Sequence, residues 1–190
     1  MFIICRLALL TGIVIIVSSC ASLPDDVQRT ESYYLQNTDK TKLGREIAPY
    51  LKRQPGKSGF HVLKTGMEAF TARIILIEKA EKSLDVQYYI WHDDRTGKAM
   101  HNRLLHAADR GVRVRLLLDD LDTAGKQQTL HILDSHPNIE IRLFNPFANR
   151  TMDFVTDLSR VNHRMHNKSL TADNQANILG GRNIGDEYFD

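Results

Sequence analysis

Hydrophobic and polar positions become regular after residue 59, and they predict alternating strands and helices. FHVL at 60–63 is a short strand candidate, and apolar residues then recur every three or four positions to about Lys82, as in a helix. Helical patterns also cover 98–110 and 124–135. Strand-forming residues dominate the segments LDVQYYIW at 84–91, VRVRLLL at 112–118 and IEIRLF at 139–144. Because this alternation is typical of βαβ crossovers, we expect an α/β fold whose mainly parallel sheet is covered on both faces.

The last part of the chain departs from this rhythm and predicts a hairpin. Two short strand candidates, 165–172 and 176–180, are joined by a turn that begins at Asp173. Because side chains alternate along a strand, His166 and Lys168 are expected on the same face. Asp173 either comes near the base of a site on that face or only caps the turn, and the pattern is compatible with both.

The residue types around this hairpin favour phosphate chemistry. The imidazole of His166 can act as a nucleophile or a proton shuttle near neutral pH. The ammonium group of Lys168 suits a phosphate oxygen, above all in a transition state that gathers negative charge. Gly180 and Gly181 allow backbone to approach a ligand closely, and Asn183 can donate a hydrogen bond to another phosphate oxygen. Together these groups predict phosphoryl or phosphatidyl transfer without a metal.

Two motifs in this region resemble those of the phospholipase D superfamily. His166, Lys168 and Asp173 have the spacing H-x-K-x4-D, and GGRN at 180–183 is similar to the element that follows it in the family. With LDVQYYIW and GVRVRLLLDD upstream, the resemblance covers about 60–190 and is nearest to bacterial proteins of the cardiolipin synthase type. It implies an α/β sandwich lobe with a mainly parallel sheet flanked by helices and a terminal hairpin that carries the motif.

The resemblance also implies an activity and a role for each residue. The chain is expected to be an enzyme, a phosphodiesterase or phosphatidyltransferase that acts on a phosphatidylglycerol-like membrane phospholipid through a phosphohistidine. No cofactor and no metal are expected. His166 would be the nucleophile or the acid that protonates the leaving alcohol, Lys168 would bind phosphate, and Asp173 would support the geometry and charge of this catalytic group. The substrate phosphate would also be bound by the glycine element: Gly180, Gly181 and Asn183.

The N-terminus carries the features of a targeting signal. Arg6 precedes an apolar run at 7–17 that is shorter than the about 20 residues a membrane-spanning helix needs. The run is followed by VSSC, which resembles the lipobox of bacterial lipoproteins, whose cysteine becomes the lipidated first residue. We therefore expect a signal peptide at 1–19, lipidation at Cys20 and a lipoprotein anchored in a membrane of the bacterial cell envelope. An uncleaved anchor is the alternative, and both place the chain at a membrane.

Composition and charge limit the possible functions further, and the pattern along the chain gives the domain bounds. A net charge of +2 does not by itself indicate a nucleic-acid-binding protein. The cysteines are Cys5 and Cys20, so the mature chain can form no internal disulfide and no cysteine-based zinc site. Residues 20–58 are expected to be a tether that contains a possible short helix at 43–51, and 59–190 a phospholipase D-like domain. The basic residues at 40–64 would add attraction to an anionic bilayer.

Polar clusters follow two of the strands, at positions where α/β proteins place ligand-binding groups. HDD at 92–94 could ligate a metal, although a polar loop is the commoner arrangement. DDLDT at 119–123 is expected to cap the next helix through Asp122 or Thr123.

The chain contains one H-x-K-x4-D motif, whereas the active site of the family takes two. No other histidine has a lysine two residues later. The simplest expectation is the N-terminal half of a longer enzyme whose C-terminal lobe carries the second motif, and the alternative is a homodimer of two copies. Two other functions stay open: an inactive truncated half-enzyme or membrane-anchored remnant, and a homodimeric phospholipase D-type nuclease. The leader and the resemblance to cardiolipin synthases argue against nucleic acid as the partner.

Overall fold

The computed structural model of the chain describes residues 31–147, 149–156 and 158–190. The signal peptide and Cys20 lie outside these residues, so both stay predictions. The chain divides into two compact units. The larger unit comprises Ser32–Pro146 and Arg164–Asp190 and contains the whole sheet, whereas Phe147–His163 belong to the smaller unit.

Helices and strands of the larger unit alternate as the hydrophobic pattern predicts. In chain order the described elements are α1 Lys42–Arg53, α2 Gly66–Lys79, β1 Ser83–Tyr88, α3 Arg95–Asp109, β2 Arg113–Asp119, α4 Gln127–Asp134, β3 Ile139–Phe144, α5 Arg150–Thr156, α6 Leu158–Val161, β4 Lys168–Ala172 and β5 Ala176–Leu179. Helices α5 and α6 belong to the smaller unit. Short 3-10 helices lie at Thr38–Lys40, Asp120–Asp122 and Asp186–Tyr188.

The helix ends follow from local sequence signals. Thr65 and Glu68 form a capping box at the start of α2, in which each side chain accepts a hydrogen bond from the other residue's backbone. Asp94 caps α3 by accepting from the backbone N–H of Gly97. Gly111 has a positive φ of 89°, so it allows the chain to turn from α3 into β2 as the sequence predicts.

The sheet has five strands in the order β3-β2-β1-β4-β5. The first three are parallel, with Val86 opposite Leu116 and Leu116 opposite Ile141. The expected hairpin forms β4 and β5, which add antiparallel strands beside β1 and place Lys168 opposite Tyr88. The α/β class and the mainly parallel sheet with a terminal hairpin are thus confirmed.

The core lies on one face of this sheet. Apolar side chains of β1, β2 and β4 point into it, and α2, α3 and α4 contribute residues to the same cluster. The opposite face is polar, and there Asp85 and Arg115 form an ion pair. Polar residues alternate with the core side chains along β1 and at the start of β2, so each of these strands has one apolar and one polar face.

Two expectations differ from the structure. FHVL at 60–63 forms no strand, and the side chain of Phe60 is 93% exposed, because no neighbouring strand pairs with it. The expected tether at 20–58 is in part a packed segment: Leu43 of α1 joins the core, and the backbone N–H of Lys42 donates to Glu81. The possible helix at 43–51 is confirmed as α1. Within the described residues, no helix has the length and apolar content needed to cross a bilayer.

Candidate active site

The hairpin strand β4 begins where β1 ends, and this edge of the sheet holds His166 and Lys168. β4 itself starts at Lys168, so His166 lies just before the strand, on the chain that leads into it. Tyr89 follows β1 and contacts both side chains. The structure therefore brings the histidine and the lysine together on one aromatic ring, although only one of them is within the strand.

His166 is exposed, and its ring packs against the ring of Tyr89. The ring centroids are 4.7 Å apart and the planes are inclined by 60°. Among the described residues, no group forms a hydrogen bond with the imidazole nitrogens of His166. The packing orients the ring, while the nitrogens stay available to a ligand.

Lys168 is held much more tightly than a surface lysine. Its side chain is buried at 6% exposure, and its Nζ donates to the backbone oxygen of His166 at 3.0 Å. The same Nζ lies 5.2 Å from the centre of the Tyr89 ring. Burial lowers the pKa of the Lys168 ammonium group from its ordinary value. Among the described residues, one of its three donors is used, so the remaining N–H groups can bind an anion.

Asn183 connects the glycine element to the end of β1. Its Oδ1 accepts from the backbone N–H of Ile90 at 3.2 Å, and its Nδ2 donates to the Tyr188 hydroxyl at 3.1 Å. These bonds place Asn183 one residue beyond Tyr89 on the same edge. An amide has two N–H donors, so the bond to Tyr188 leaves one for a ligand. A Cβ at Gly180 or Gly181 would meet no atom within 4 Å, so the backbone there borders open space.

Asp173 lies at the other end of β4, about 17 Å along the strand from Lys168 at the usual rise per residue. Its buried carboxylate accepts from the backbone N–H groups of Glu81, Lys82 and Ser83. The sequence alone allowed a place near the site or a structural role at the turn, and the geometry supports the second. This corrects its grouping with the catalytic residues, because a side chain so distant and so fully bonded does not reach a phosphate held at Lys168.

Asp119 is a site residue whose importance the sequence analysis missed. It is buried at the end of β2, where its Oδ1 accepts from Arg164 at 3.0 Å and its Oδ2 from the backbone N–H of Met165 at 2.7 Å. These bonds fasten the two residues immediately before His166. An aspartate at the carboxyl end of a buried strand was the available signal, but its partner 45 residues later could not be inferred from local pattern.

The neighbouring carboxylate of Asp122 has a related function and does not cap α4. It accepts from the backbone N–H of Trp91 at 2.8 Å and from Lys126 Nζ at 2.6 Å. Thr123 bonds instead to Asp120, and α4 begins after Lys126 without a side-chain cap. The expected helix cap is therefore wrong, because tertiary contacts with the end of β1 take up the Asp122 side chain.

In the part of the chain that the structure describes, one group of side chains has donor types that could hold a metal ion: His92, Asp94 and Glu187. Their ligand atoms lie within 4.8 Å of one another. Internal bonds already account for this grouping, because Asp94 accepts from the backbone N–H groups of Gly97 and Asp186 and His92 lies 3.1 Å from Glu187. These side chains thus connect the start of α3 to the C-terminal residues, which explains why they lie close together.

The arrangement at the end of β1 can carry out nucleophilic attack on phosphorus. It combines an exposed imidazole, a buried ammonium group beside it, an amide donor and accessible backbone. An imidazole can form a covalent intermediate, and fixed positive charge stabilises the oxygens that gain charge in the transition state. Phosphoryl transfer is one reaction that groups of these types can support.

Known proteins resemble this chain in sequence and in fold. Residues 74–190 match the family model described as cardiolipin synthase, PLD-like domain. Cardiolipin synthase C of Escherichia coli K12 is 52% identical over 151 residues, which are 78% of this chain and 32% of that protein. A cardiolipin synthase of Oceanobacillus iheyensis is 30% identical over 166 residues, which are 87% and 31% of the two chains. The chain therefore spans about a third of the length of these curated relatives.

The fold is also found in a solved structure. NucT from Helicobacter pylori superposes with a TM-score of 0.51 at 21% sequence identity, and the match covers 66% of this chain and 72% of that one. The likeness shows a shared α/β architecture.

Proposed function

Since the chain belongs to the family of cardiolipin synthase, PLD-like domains, we propose that it provides one half of the active site of a phosphatidyltransferase that acts on membrane phospholipid. The observation that carries the proposal is the pairing of the exposed His166 with the buried Lys168 on the ring of Tyr89. A buried cation beside the histidine would stabilise the phosphate oxygens that gain negative charge in the transition state.

His166 is proposed to form a phosphohistidine. One ring nitrogen attacks the phosphorus of the phospholipid, a P–N bond forms, and the P–O bond to the leaving alcohol breaks as that oxygen takes a proton from an acid. In the second step an acceptor hydroxyl attacks the same phosphorus, the P–N bond breaks, and the acceptor proton returns to that group. Water as the acceptor completes hydrolysis, and the hydroxyl of a second phosphatidylglycerol completes synthesis of cardiolipin.

Lys168 and the glycine element are proposed to hold the phosphate during both steps. The ammonium group is already desolvated, so its interaction with phosphate oxygens is stronger than that of a lysine in water. The free N–H of Asn183 and the backbone at Gly180 and Gly181 would contact further oxygens. Asp119 and Tyr89 act as positioning residues, because they fix the chain before His166 and the plane of its ring.

A second H-x-K-x4-D motif is proposed to supply the acid, either from a C-terminal lobe or from a second copy of the chain. The relatives that match over about a third of their length support the first arrangement. Lipidation at Cys20 would tether the domain to a membrane of the bacterial cell envelope, where the substrate lies.

The test is phosphodiester turnover by the purified full chain on phosphatidylglycerol vesicles in the presence of EDTA, together with trapping of labelled phosphohistidine. His166→Ala is compared with His131→Ala, a matched control at an exposed histidine on α4. We expect the first variant to lose the trapped label and any turnover, and the second to keep the wild-type level. Turnover that rises with the square of protein concentration would favour the homodimer.

Two results would contradict the proposal. One is turnover in His166→Ala equal to that of the wild type. The other is a folded wild-type chain that yields neither product nor label, alone or after addition of a relative's C-terminal lobe, which would support the inactive remnant. Single-stranded DNA as a parallel substrate distinguishes a nuclease.

A further inference from the structure

The end of α1 and the loop after it contribute one partly buried side chain, Leu63, to the packing around the core. Every residue from 48 to 62 is exposed, and Leu43 is the residue of α1 that joins the buried cluster. We call residues 48–64 the projecting segment. A stretch this long that lies on the surface with so little packing must be compatible with solvent or be covered by something else.

The projecting segment presents apolar side chains that a solvated loop does not need. Large hydrophobic side chains are exposed along it: Tyr50, Leu51, Phe60 and Val62. Single exposed hydrophobic residues are ordinary, but several within a short segment indicate a contact surface. Two of them are aliphatic, so they cannot stack on nucleic-acid bases as aromatic rings do. Insertion among acyl chains would bury all four.

The same segment is strongly basic. It contains Lys52, Arg53, Lys57 and Lys64, and no acidic residue lies between Glu46 and Glu68. Within the described chain, none of these four cations forms an ion pair, and the guanidinium group of Arg53 lies instead over the Tyr50 ring. Exposed apolar residues interleaved with unpaired cations fit one chemical surface, the interface of an anionic bilayer.

The segment also leads to the edge that holds the candidate active site. It ends just before α2, whose first residue, Gly66, is so close to Phe189 that an added Cβ would lie 2.6 Å from its backbone. Phe189 follows Tyr188, the residue whose hydroxyl accepts from Asn183. A surface that enters the bilayer interface here would therefore lie on the side of the domain where a lipid phosphate has to arrive.

We infer that the projecting segment is a membrane-docking surface that inserts Phe60 and its apolar neighbours into an anionic bilayer and holds the active-site edge against it. The inference rests on the proposed function, since a phospholipid substrate makes such contact useful. It goes further by naming the face of the domain that touches lipid. Docking of this kind does not depend on the second motif or on turnover.

The test uses tryptophan reporters in the full chain. Phe60→Trp places a fluorophore on the projecting segment, and Ile132→Trp places one at an exposed hydrophobic position of α4 as the matched control. Both carry the same N-terminal residues, so attachment through the apolar run at 7–17 is common to both. Emission is measured on vesicles of phosphatidylcholine with brominated acyl chains, with and without phosphatidylglycerol, and the signal of the native Trp91 is subtracted.

We expect bromine to quench Phe60→Trp more strongly than Ile132→Trp, and only when phosphatidylglycerol is present. Each replacement of a segment cation by glutamine should weaken the docking equilibrium about fivefold. Equal quenching of the two reporters overturns the inference, and so does quenching that survives glutamine at all four cations. Stronger quenching by single-stranded DNA than by vesicles assigns the surface to nucleic acid instead. Because turnover is not measured, failure here is distinct from failure of the proposed function.

Discussion

His101 should make the stability of this protein depend on pH between neutral and mildly acidic conditions. It lies on α3 at 8% exposure, and its ring stacks on Trp91 with centroids 4.6 Å apart and planes inclined by 6°. Within the described residues, neither ring nitrogen has a hydrogen-bond partner. The buried site therefore accepts the neutral ring and disfavours the cation.

The magnitude follows from the pKa of this histidine. Burial is the largest cause that lowers the pKa of His101 from 6.5 to about 4, with Asp93 opposing it and Lys126 adding to it. Above pH 6.5 the ring is mainly neutral in both the folded and the unfolded protein, so it does not affect the free energy of unfolding. As the pH falls from 6.5 towards 4, the unfolded protein binds a proton at His101 before the folded protein does, and the free energy of unfolding decreases. At about pH 5 the pH is roughly 1.5 units below the pKa of the unfolded histidine, so that histidine is protonated, while the folded one is still mainly neutral. This difference lowers the free energy of unfolding by about 2 kcal/mol.

The assay is urea unfolding of the wild type and of His101→Phe at about pH 7.5 and about pH 5. Phenylalanine keeps an aromatic ring against Trp91 and cannot titrate. We expect the variant to gain about 2 kcal/mol over the wild type as the pH is lowered, on top of any constant offset. Titrations of the other histidines cancel in this difference, because both proteins contain them. His131→Phe, at an exposed position of α4, is the control variant.

The reasoning would be refuted if the difference in unfolding free energy between His101→Phe and the wild type were the same at both pH values. So would an NMR titration in which the pKa of His101 is close to 6.5, because the buried ring would then accept a proton without cost.

Two further predictions concern the structure around the site. Asp173→Ala should lower the unfolding free energy by about 3 to 5 kcal/mol in urea titrations, because three backbone N–H groups lose their acceptor. Asp173→Asn should recover part of this, and wild-type stability in the alanine variant would contradict the turn role. Gly97→Ala should cost about 1 to 3 kcal/mol, because its Cβ would overlap the His92 carbonyl oxygen. The measurement is thermal denaturation, and Gly59→Ala is the control, because an added Cβ at Gly59 would meet no atom within 4 Å.

Much of the sheet could be predicted because the order of its elements along the chain follows from local pattern. Apolar residues at periods of two and about three and a half residues mark β1, β2, β3 and the helices between them, and Gly111 marks the end of α3. The failures are local as well. FHVL at 60–63 has strand-forming residues but no partner strand, and a strand is stable only when its backbone groups are paired.

The candidate site was also predictable from the sequence only in part. His166, Lys168 and Asn183 are identified by residue type and spacing, and the sheet order then places all three at the end of β1. Asp173 shows the limit of spacing: it belongs to the motif, but its carboxylate holds the start of β1 at the opposite end of β4. Spacing along the chain does not say at which end of a strand a residue acts.

The sequence by itself determined the fold class, the strands and helices, and the residue types that can bind and attack a phosphate, because periodicity and chemistry are local properties. Only the tertiary structure decided which groups meet. It placed the Tyr89 ring against both His166 and Lys168, joined Asp119 to Arg164, and buried His101 against Trp91 with no hydrogen-bond partner among the described residues. The contacts of Tyr89 and Asp119 join residues far apart in the chain, and they exist because strand pairing brings distant segments to one edge of the sheet. The contact of His101 with Trp91 exists because α3 packs on the core face of the sheet.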